Sequence, residues 1–204
     1  MISKPKKTKI LAIGDIHGDT GLVKKLAERA RKENVDLIIL AGDMTFVEQS
    51  TKNLIGPFIK EKKPVLLLHG NHEGFATADF LSKNYPDTKN IHSYSFIKNN
   101  LGIFGAGGAI GFNTTEKEIF DALKKGNSAL GNINKKIMVT HMHHKGSVSE
   151  FSGFAGSKAV KKAVKEFKPD LLISAHIHEA GGIEEKIGKT RVINVSRNPA
   201  IIEI

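Results

Sequence analysis

Three runs in the first third of the chain, KILAI (9–13), VDLIILAG (35–42) and PVLLLHG (64–70), are apolar without alternation. A strand with one face in water alternates apolar and polar residues, so runs of this kind belong to strands covered on both faces. Between the first two, Leu22, Leu26, Ala27 and Ala30 recur at helical spacing among lysines and arginines. A second helical stretch is expected over about 48–62, bent at Gly56-Pro57. Strand, helix, strand, helix, strand is the pattern of a parallel, right-handed α/β unit.

The second half changes character. SYSFIKN (93–99) and LGIFGAGG (101–108) read as paired strands, TTEKEIFDALKKG (114–126) as a helix with a threonine cap, and KKIMVTH (135–141) as another buried strand. Ser157 can cap a helix that carries Ala159, Val160, Ala163, Val164 and Phe167 on one face. DLLISAH (170–176) follows, and three short strands (182–188, 190–196 and 199–204) close the chain. That strand-rich ending suggests a second sheet, and no linker-like stretch divides the halves. The expectation is one α/β domain over 1–204, two sheets face to face with helices outside, entered by a basic, flexible lead-in at 1–7.

Polar residues collect where the buried strands end. The first ends in Gly14-Asp15-Ile16-His17, the second in Gly42-Asp43, and the third in Gly70-Asn71-His72-Glu73. Later strands end in Thr140-His141 and in Ala175-His176-Ile177-His178. Each ending alone is explained by turn chemistry or by a core histidine. Together they place carboxylate, amide and imidazole groups on one rim, the side on which α/β sheets bind ligands. Two aspartates, one asparagine and five histidines suit two divalent cations of intermediate hardness. In Asp-x-His and His-x-His the alternate side chains of an extended backbone point the same way, so each pair can serve one ion. Asp43 between them can give an oxygen to each. Asp19 is assigned instead to the cap of the following helix.

Composition narrows the chemistry. There is no cysteine, which excludes a disulfide framework, a thiolate metal site and a cysteine nucleophile. No stretch approaches the length of a membrane span, and the start of the chain lacks the apolar body of a signal peptide. No membrane association and a cytoplasmic location are expected. The net charge of +10 would suit a polyanion such as nucleic acid. With aromatics at 6% and no tryptophan, a lysine-rich solvated surface is the plainer reading. Among 31 lysines and arginines, Lys145 and Arg197, just past rim strands, carry little specific signal for phosphate contact. Two glycine motifs are decoys. In GAGGAI (105–110) Ile110 stands where a dinucleotide fingerprint needs glycine, so it reads as a tight loop near the rim. GKT (188–190) lacks the earlier P-loop glycine and lies in a hairpin.

GDIHGD, GDM, GNHE, THMH and AHIH, in this order, resemble the calcineurin-like metallophosphoesterases, especially their short archaeal and bacterial single-domain members. The resemblance runs from about residue 8 to the end. It implies a four-layer α/β-β/α sandwich of two mixed sheets and a two-metal centre. Carried over residue by residue, it implies that Asp15, His17 and His178 hold one metal and Asn71, His141 and His176 the other, with Asp43 bridging. His72 would act as acid or charge stabiliser near the leaving group, and Glu73 would orient its imidazole. Two features depart from the family's pattern. Ala175 replaces the usual glycine, and His141 is followed by Met142, His143 and His144, where relatives often carry prolines. The two extra histidines are read as surface residues.

The activity implied is hydrolysis of a phosphate ester by a hydroxide held between two divalent cations, manganese first, with iron, nickel, cobalt or zinc as alternatives. The neutral Asn71 keeps the site receptive to an anion. With no inserted cap and only the 143–156 loop of any size, a phosphodiesterase is the first reading. Phosphomonoesterase and nuclease are alternatives within the same fold. A non-catalytic scaffold is the rival from another class, and such relatives typically lose ligands that are all present here. Substrate identity and oligomeric state are not readable from these residues.

Overall fold

A computed structural model describes residues 7–204; of the expected lead-in, residues 1–6 lie outside the described residues. The first half runs β1 (Lys9–Ile13), α1 (Thr20–Lys32), β2 (Leu37–Ala41), α2 (Gly56–Lys60), β3 (Val65–Leu68), α3 (Phe75–Asn84) and β4 (Thr88–Asn90). The second half runs β5 (Ser95–Lys98), β6 (Leu101–Ala106), α4 (Glu116–Ser128), β7 (Lys135–Thr140), α5 (Lys158–Phe167), β8 (Leu171–Ser174), β9 (Glu184–Ile187), β10 (Thr190–Asn194) and β11 (Ala200–Glu203). One sheet has the order β11-β1-β2-β3-β4, the other β5-β6-β7-β8-β10-β9. In the first, β1 to β4 are parallel and β11 is antiparallel to β1; in the second, β6, β7, β8 and β10 are parallel, with β5 and β9 antiparallel at the edges.

Three buried clusters account for the non-alternating runs. Ile10, Ala12, Leu37 and Ile39 pack with Ile103, Ile137, Val139 and Ile173, so one cluster lies between the two sheets. The intervening residues Leu11, Ile13, Ile38 and Leu40 face α1, α2 and α3 through Val23, Leu26, Phe58 and Leu81. On the far side Phe104, Met138 and Leu172 pack on Ile119, Leu123, Val160 and Val164 of α4 and α5. The layers are therefore helix, sheet, sheet, helix, as the resemblance implied. Among the described residues no helix is long and apolar enough to cross a membrane.

The helix starts follow the expected side chains. Asp19 accepts from Leu22 N–H at 2.8 Å, and Ser157 accepts from Val160 N–H at 3.1 Å. Thr115 and Glu118 complete a reciprocal capping box on α4. Glu116 adds a carboxylate at the start of α5, accepting from Ser157 Oγ (2.6 Å), Lys158 N–H (2.8 Å) and Ala159 N–H (2.7 Å).

Some elements differ from the sequence reading. No helix spans 48–62: Val47, Glu48 and Asn53 adopt φ of 49°, 56° and 60°, which breaks helical continuity. Gly56 and Pro57 begin α2 instead of bending a longer helix, because proline in a first turn loses no helical hydrogen bond. α3 and β4 escape pattern reading, since α3 buries only Ala78 and Leu81 and β4 has three residues. Of the three closing strands, β9 and β10 extend the second sheet, but β11 returns to pair with β1 in the first.

Candidate metal centre

The carboxyl ends of the parallel strands meet at one rim, and backbone bonds lace their loops together. Asp15 N–H, His17 N–H and Gly18 N–H donate to the carbonyls of Gly42, Asp43 and Met44 at 3.0, 2.9 and 2.8 Å. The loop after β1 is thereby fixed to the loop after β2. His72 N–H donates to Asp43 Oδ1 at 2.8 Å and joins the loop after β3 to the same point. Asp15, His17, Asp43 and His176 hold φ of 57°, 48°, 51° and 74°. Left-handed backbone at a non-glycine residue is costly and persists where surrounding contacts over-determine it, often at functional sites.

All seven expected metal ligands converge here as two clusters sharing Asp43. In the first, His17 Nε2 and His178 Nε2 are 3.0 Å apart, and Asp15 Oδ1 lies 3.5 Å from His178 Nε2 and 3.9 Å from His17 Nε2. In the second, His141 Nε2 lies 3.0 Å from Asn71 Oδ1 and 3.5 Å from Asp43 Oδ2, with a nitrogen of His176 grouped alongside. Asp43 Oδ2 also lies 3.9 Å from His17 Nε2, so one oxygen faces both clusters. Donors bound to one ion at about 2.0–2.2 Å stand roughly 3–3.5 Å apart, and these separations are close to that. Asp15 Oδ1 is fully buried yet has no hydrogen-bond partner. A buried carboxylate oxygen without a donor is stabilised by a cation. The donor set fits a pair of divalent metals.

Electrostatics agree. Burial opposes charge on Asp43, but the His141 ring and the His72 N–H outweigh it and hold the carboxyl below the usual range. Asp15 is held down in the same way by His178, His141 and Ser196 against its burial. Burial also opposes charge on His141, yet Asp43 and Asp15 raise it to about 9. His178 is raised by Asp15, whereas burial lowers His17 and pushes His176 down to about 4. Two ionised carboxylates thus draw positive charge to the floor of the cleft, and protons leave as a metal binds.

Several other expectations need correction. Glu73 does not reach the His72 ring, whose buried Nδ1 has no partner. Its carboxylate is spent on Met44 N–H (3.2 Å), Thr45 N–H (2.9 Å), Thr45 Oγ1 (3.0 Å) and Gly70 N–H (3.0 Å), clamping the loops after β2 and β3 together. The His72 ring packs edge-on against His17 with centroids 4.5 Å apart. His143 and His144 are buried, not surface residues. His143 stacks on His176 at 6.5 Å, and His144 Nε2 lies 3.3 Å from Glu185 Oε1. A backbone bridge joins this segment to Ser157, with Ser157 N–H donating to the His143 carbonyl and Lys145 N–H to the Ser157 carbonyl, both at 2.8 Å. Lys145 is paired with Glu150 at 3.1 Å, while exposed Arg197 acts electrostatically on His178. The Ala175 methyl is accommodated because Gly14, opposite, has no Cβ; one there would overlap it. GAGGAI is a strand-end loop beside the rim, where Asn113 takes the Ala109 N–H and donates to the Gly70 carbonyl at 2.8 Å.

Sequence reading missed Ser196. Its hydroxyl donates to Asp15 Oδ2 at 2.5 Å, and His176 N–H donates to the same oxygen at 3.0 Å. Oδ2 is thereby occupied and Oδ1 is left for the cluster. The signal was available, because Ser196 lies just past the carboxyl end of β10, a further parallel strand at the same rim. Ser196→Ala is expected to weaken metal affinity about 10- to 100-fold, the usual effect of removing a residue that orients a ligand. Titration of metal-stripped protein with manganese measures this, and unchanged affinity would remove Ser196 from that role.

Comparison with known proteins gives a consistent result. The family model described as calcineurin-like phosphoesterase matches residues 8–180. No curated protein sequence matches the chain. Among solved structures, TT1561 of Thermus thermophilus is 18% identical with a TM-score of 0.77, covering 94% of this chain and 90% of that one. A dimetal phosphatase from Danio rerio is 11% identical with a TM-score of 0.67, covering 93% and 87%. A novel archaeal phosphodiesterase is 18% identical with a TM-score of 0.57, covering 97% and 99%. At these identities the structural likeness is one of fold.

Proposed function

Because this chain belongs to the calcineurin-like phosphoesterase family and keeps a complete set of candidate metal donors, we propose that it is a binuclear phosphodiesterase. The observation that carries the reading is Asp43 Oδ2, which faces His17 Nε2 at 3.9 Å and His141 Nε2 at 3.5 Å and so links two donor clusters. Asp15, His17 and His178 would hold one ion, Asn71, His141 and His176 the other, with Asp43 shared. Two divalent cations would activate water and neutralise charge on the phosphoryl oxygens during in-line displacement. Manganese is the first candidate, and iron, nickel, cobalt and zinc are alternatives, because a donor set of imidazole, carboxylate and amide oxygen accommodates each of them.

The chain's own groups set the rest. Asn71 contributes an oxygen without charge, so the floor stays receptive to an anionic ester. His72 lines the cleft beside Asp43 and Asn71. In this reading its ring would give a proton to the departing oxygen. The cleft, about 250 Å³, is open, and among the described residues no inserted domain covers it, which leaves space for organic groups on both sides of a phosphate. Proteins sharing this fold include both a phosphatase and a phosphodiesterase, so the openness of the cleft, not the fold, favours the diester.

The test is hydrolysis of bis-p-nitrophenyl phosphate beside p-nitrophenyl phosphate by metal-stripped protein re-supplied with manganese. Turnover that requires metal and is faster on the diester is expected. Faster monoester turnover would make the protein a phosphomonoesterase. Turnover of neither ester with manganese, iron, nickel, cobalt or zinc would overturn the general phosphodiesterase reading and leave a highly selective hydrolase or a scaffold.

A further inference from the structure

Resting on the phosphoesterase reading, we propose that Phe112 and Phe154 form a subsite for an apolar organic group, an aryl ring or hydrocarbon chain, carried by the phosphoester. Both line the cleft with Asp43, Asn71 and His176. Each ring centroid lies 6.2 Å from that of His176, at interplanar angles of 75° and 71°. The two phenylalanines are 63% and 56% exposed, so most of each ring is free to be covered by a ligand. Such area is worth more to an apolar group than to water.

The rings are carried on anchored loops. Asn113, next to Phe112, is pinned to Ala109 N–H and to the Gly70 carbonyl, in the loop that bears Asn71. The Phe154 carbonyl accepts from buried His143 Nε2 at 3.2 Å, and the His143 ring stacks on His176. His143 therefore ties the backbone that presents Phe154 to a candidate metal ligand. A preorganised apolar wall of this kind loses little freedom on binding.

Charge points the same way. The chain carries 31 lysines and arginines, yet among the described residues none lines this cleft. Recognition of an extended polyanion uses several cationic contacts along its backbone. A single phosphoryl group flanked by apolar substituents needs none beyond the metal centre.

The test uses phosphonates, which carry an uncleavable C–P bond, on manganese-loaded protein in a titration calorimeter. Phenylphosphonate is expected to bind about tenfold tighter than methylphosphonate, a difference of about 1.4 kcal/mol. Hexylphosphonate distinguishes the two sources of apolar surface: affinity near that of phenylphosphonate assigns the subsite to hydrocarbon generally, and affinity well below it to aryl rings. In Phe112→Ala/Phe154→Ala, with an unchanged thermal unfolding midpoint expected because both side chains are mostly exposed, the phenyl-to-methyl ratio is expected to fall to about one. Equal affinities in the unaltered protein, or no binding of phenylphosphonate, overturn the subsite. Absence of ester turnover bears on the phosphodiesterase reading, while the phosphonate ratio reports the subsite independently of turnover.

Discussion

Asp43→Asn is expected to bring metal-dependent turnover to background while the fold stays intact. The two oxygens of Asp43 do different work: Oδ1 accepts the His72 N–H at 2.8 Å, and Oδ2 faces His17 Nε2 and His141 Nε2 at 3.9 and 3.5 Å. Asparagine keeps an acceptor for His72, so the loops after β2 and β3 hold their places. Its amide nitrogen, however, has no lone pair to give a cation and no charge. Of the two carboxylates in the donor clusters only Asp15 would be left. Metal content is expected to fall from two ions to one or none, and kcat by on the order of a thousandfold, the scale on which one preorganised electrostatic contact acts. Metal analysis by mass spectrometry, thermal unfolding and ester hydrolysis on the same preparation check it together. A variant that retains two ions and near-normal turnover would remove Asp43 from the bridging position.

The layers were legible because burial on both faces leaves a plain mark. In β1, Ile10 and Ala12 turn toward the opposing sheet while Leu11 and Ile13 turn toward the helices, so the strand cannot alternate. The candidate site was legible because chemistry-bearing residues gather at strand ends, and the structure groups Asp15, Asp43, Asn71 and the five histidines at one rim. Properties set by distant packing were not legible. His143 and His144 look like surface residues in sequence, and their burial comes from the segment that ends at Ser157. Glu73 sits next to His72 in the chain, yet its carboxylate turns inward to the loop after β2. The departure at Ala175 is answered at Gly14, 161 positions earlier, which no local pattern reveals. Ser196 left no motif because a hydroxyl acquires its role only from the carboxylate it meets.

A second large effect is expected at a residue without a side chain. The loops after β2 and β3 approach so closely that a Cβ on Gly70 would overlap Asp43 Oδ1 and stand 2.5 Å from Asp43 N. Gly42 faces the same contact from the other side, where a Cβ would come within 2.9 Å of Gly70 Cα. Gly70 cannot retreat cheaply: its N–H is held by Glu73 Oε1 at 3.0 Å and its carbonyl by Asn113 Nδ2 at 2.8 Å. Relief must come from Asp43, whose movement would break its bond to His72 N–H and withdraw Oδ2 from both clusters. Gly70→Ala is therefore expected to cost about 2–3 kcal/mol, within the range for overpacking a closed site. For a chain of this size that lowers Tm by roughly 4–12 °C. Metal binding should be lost even where the protein remains folded. Gly18→Ala provides the contrast, because nothing lies within 4 Å of its Cβ position and only its φ of +76° is unfavourable. Calorimetric unfolding and manganese titration of the two variants decide the matter. If Gly70→Ala binds manganese as well as Gly18→Ala does, the close approach of these loops is not what positions Asp43.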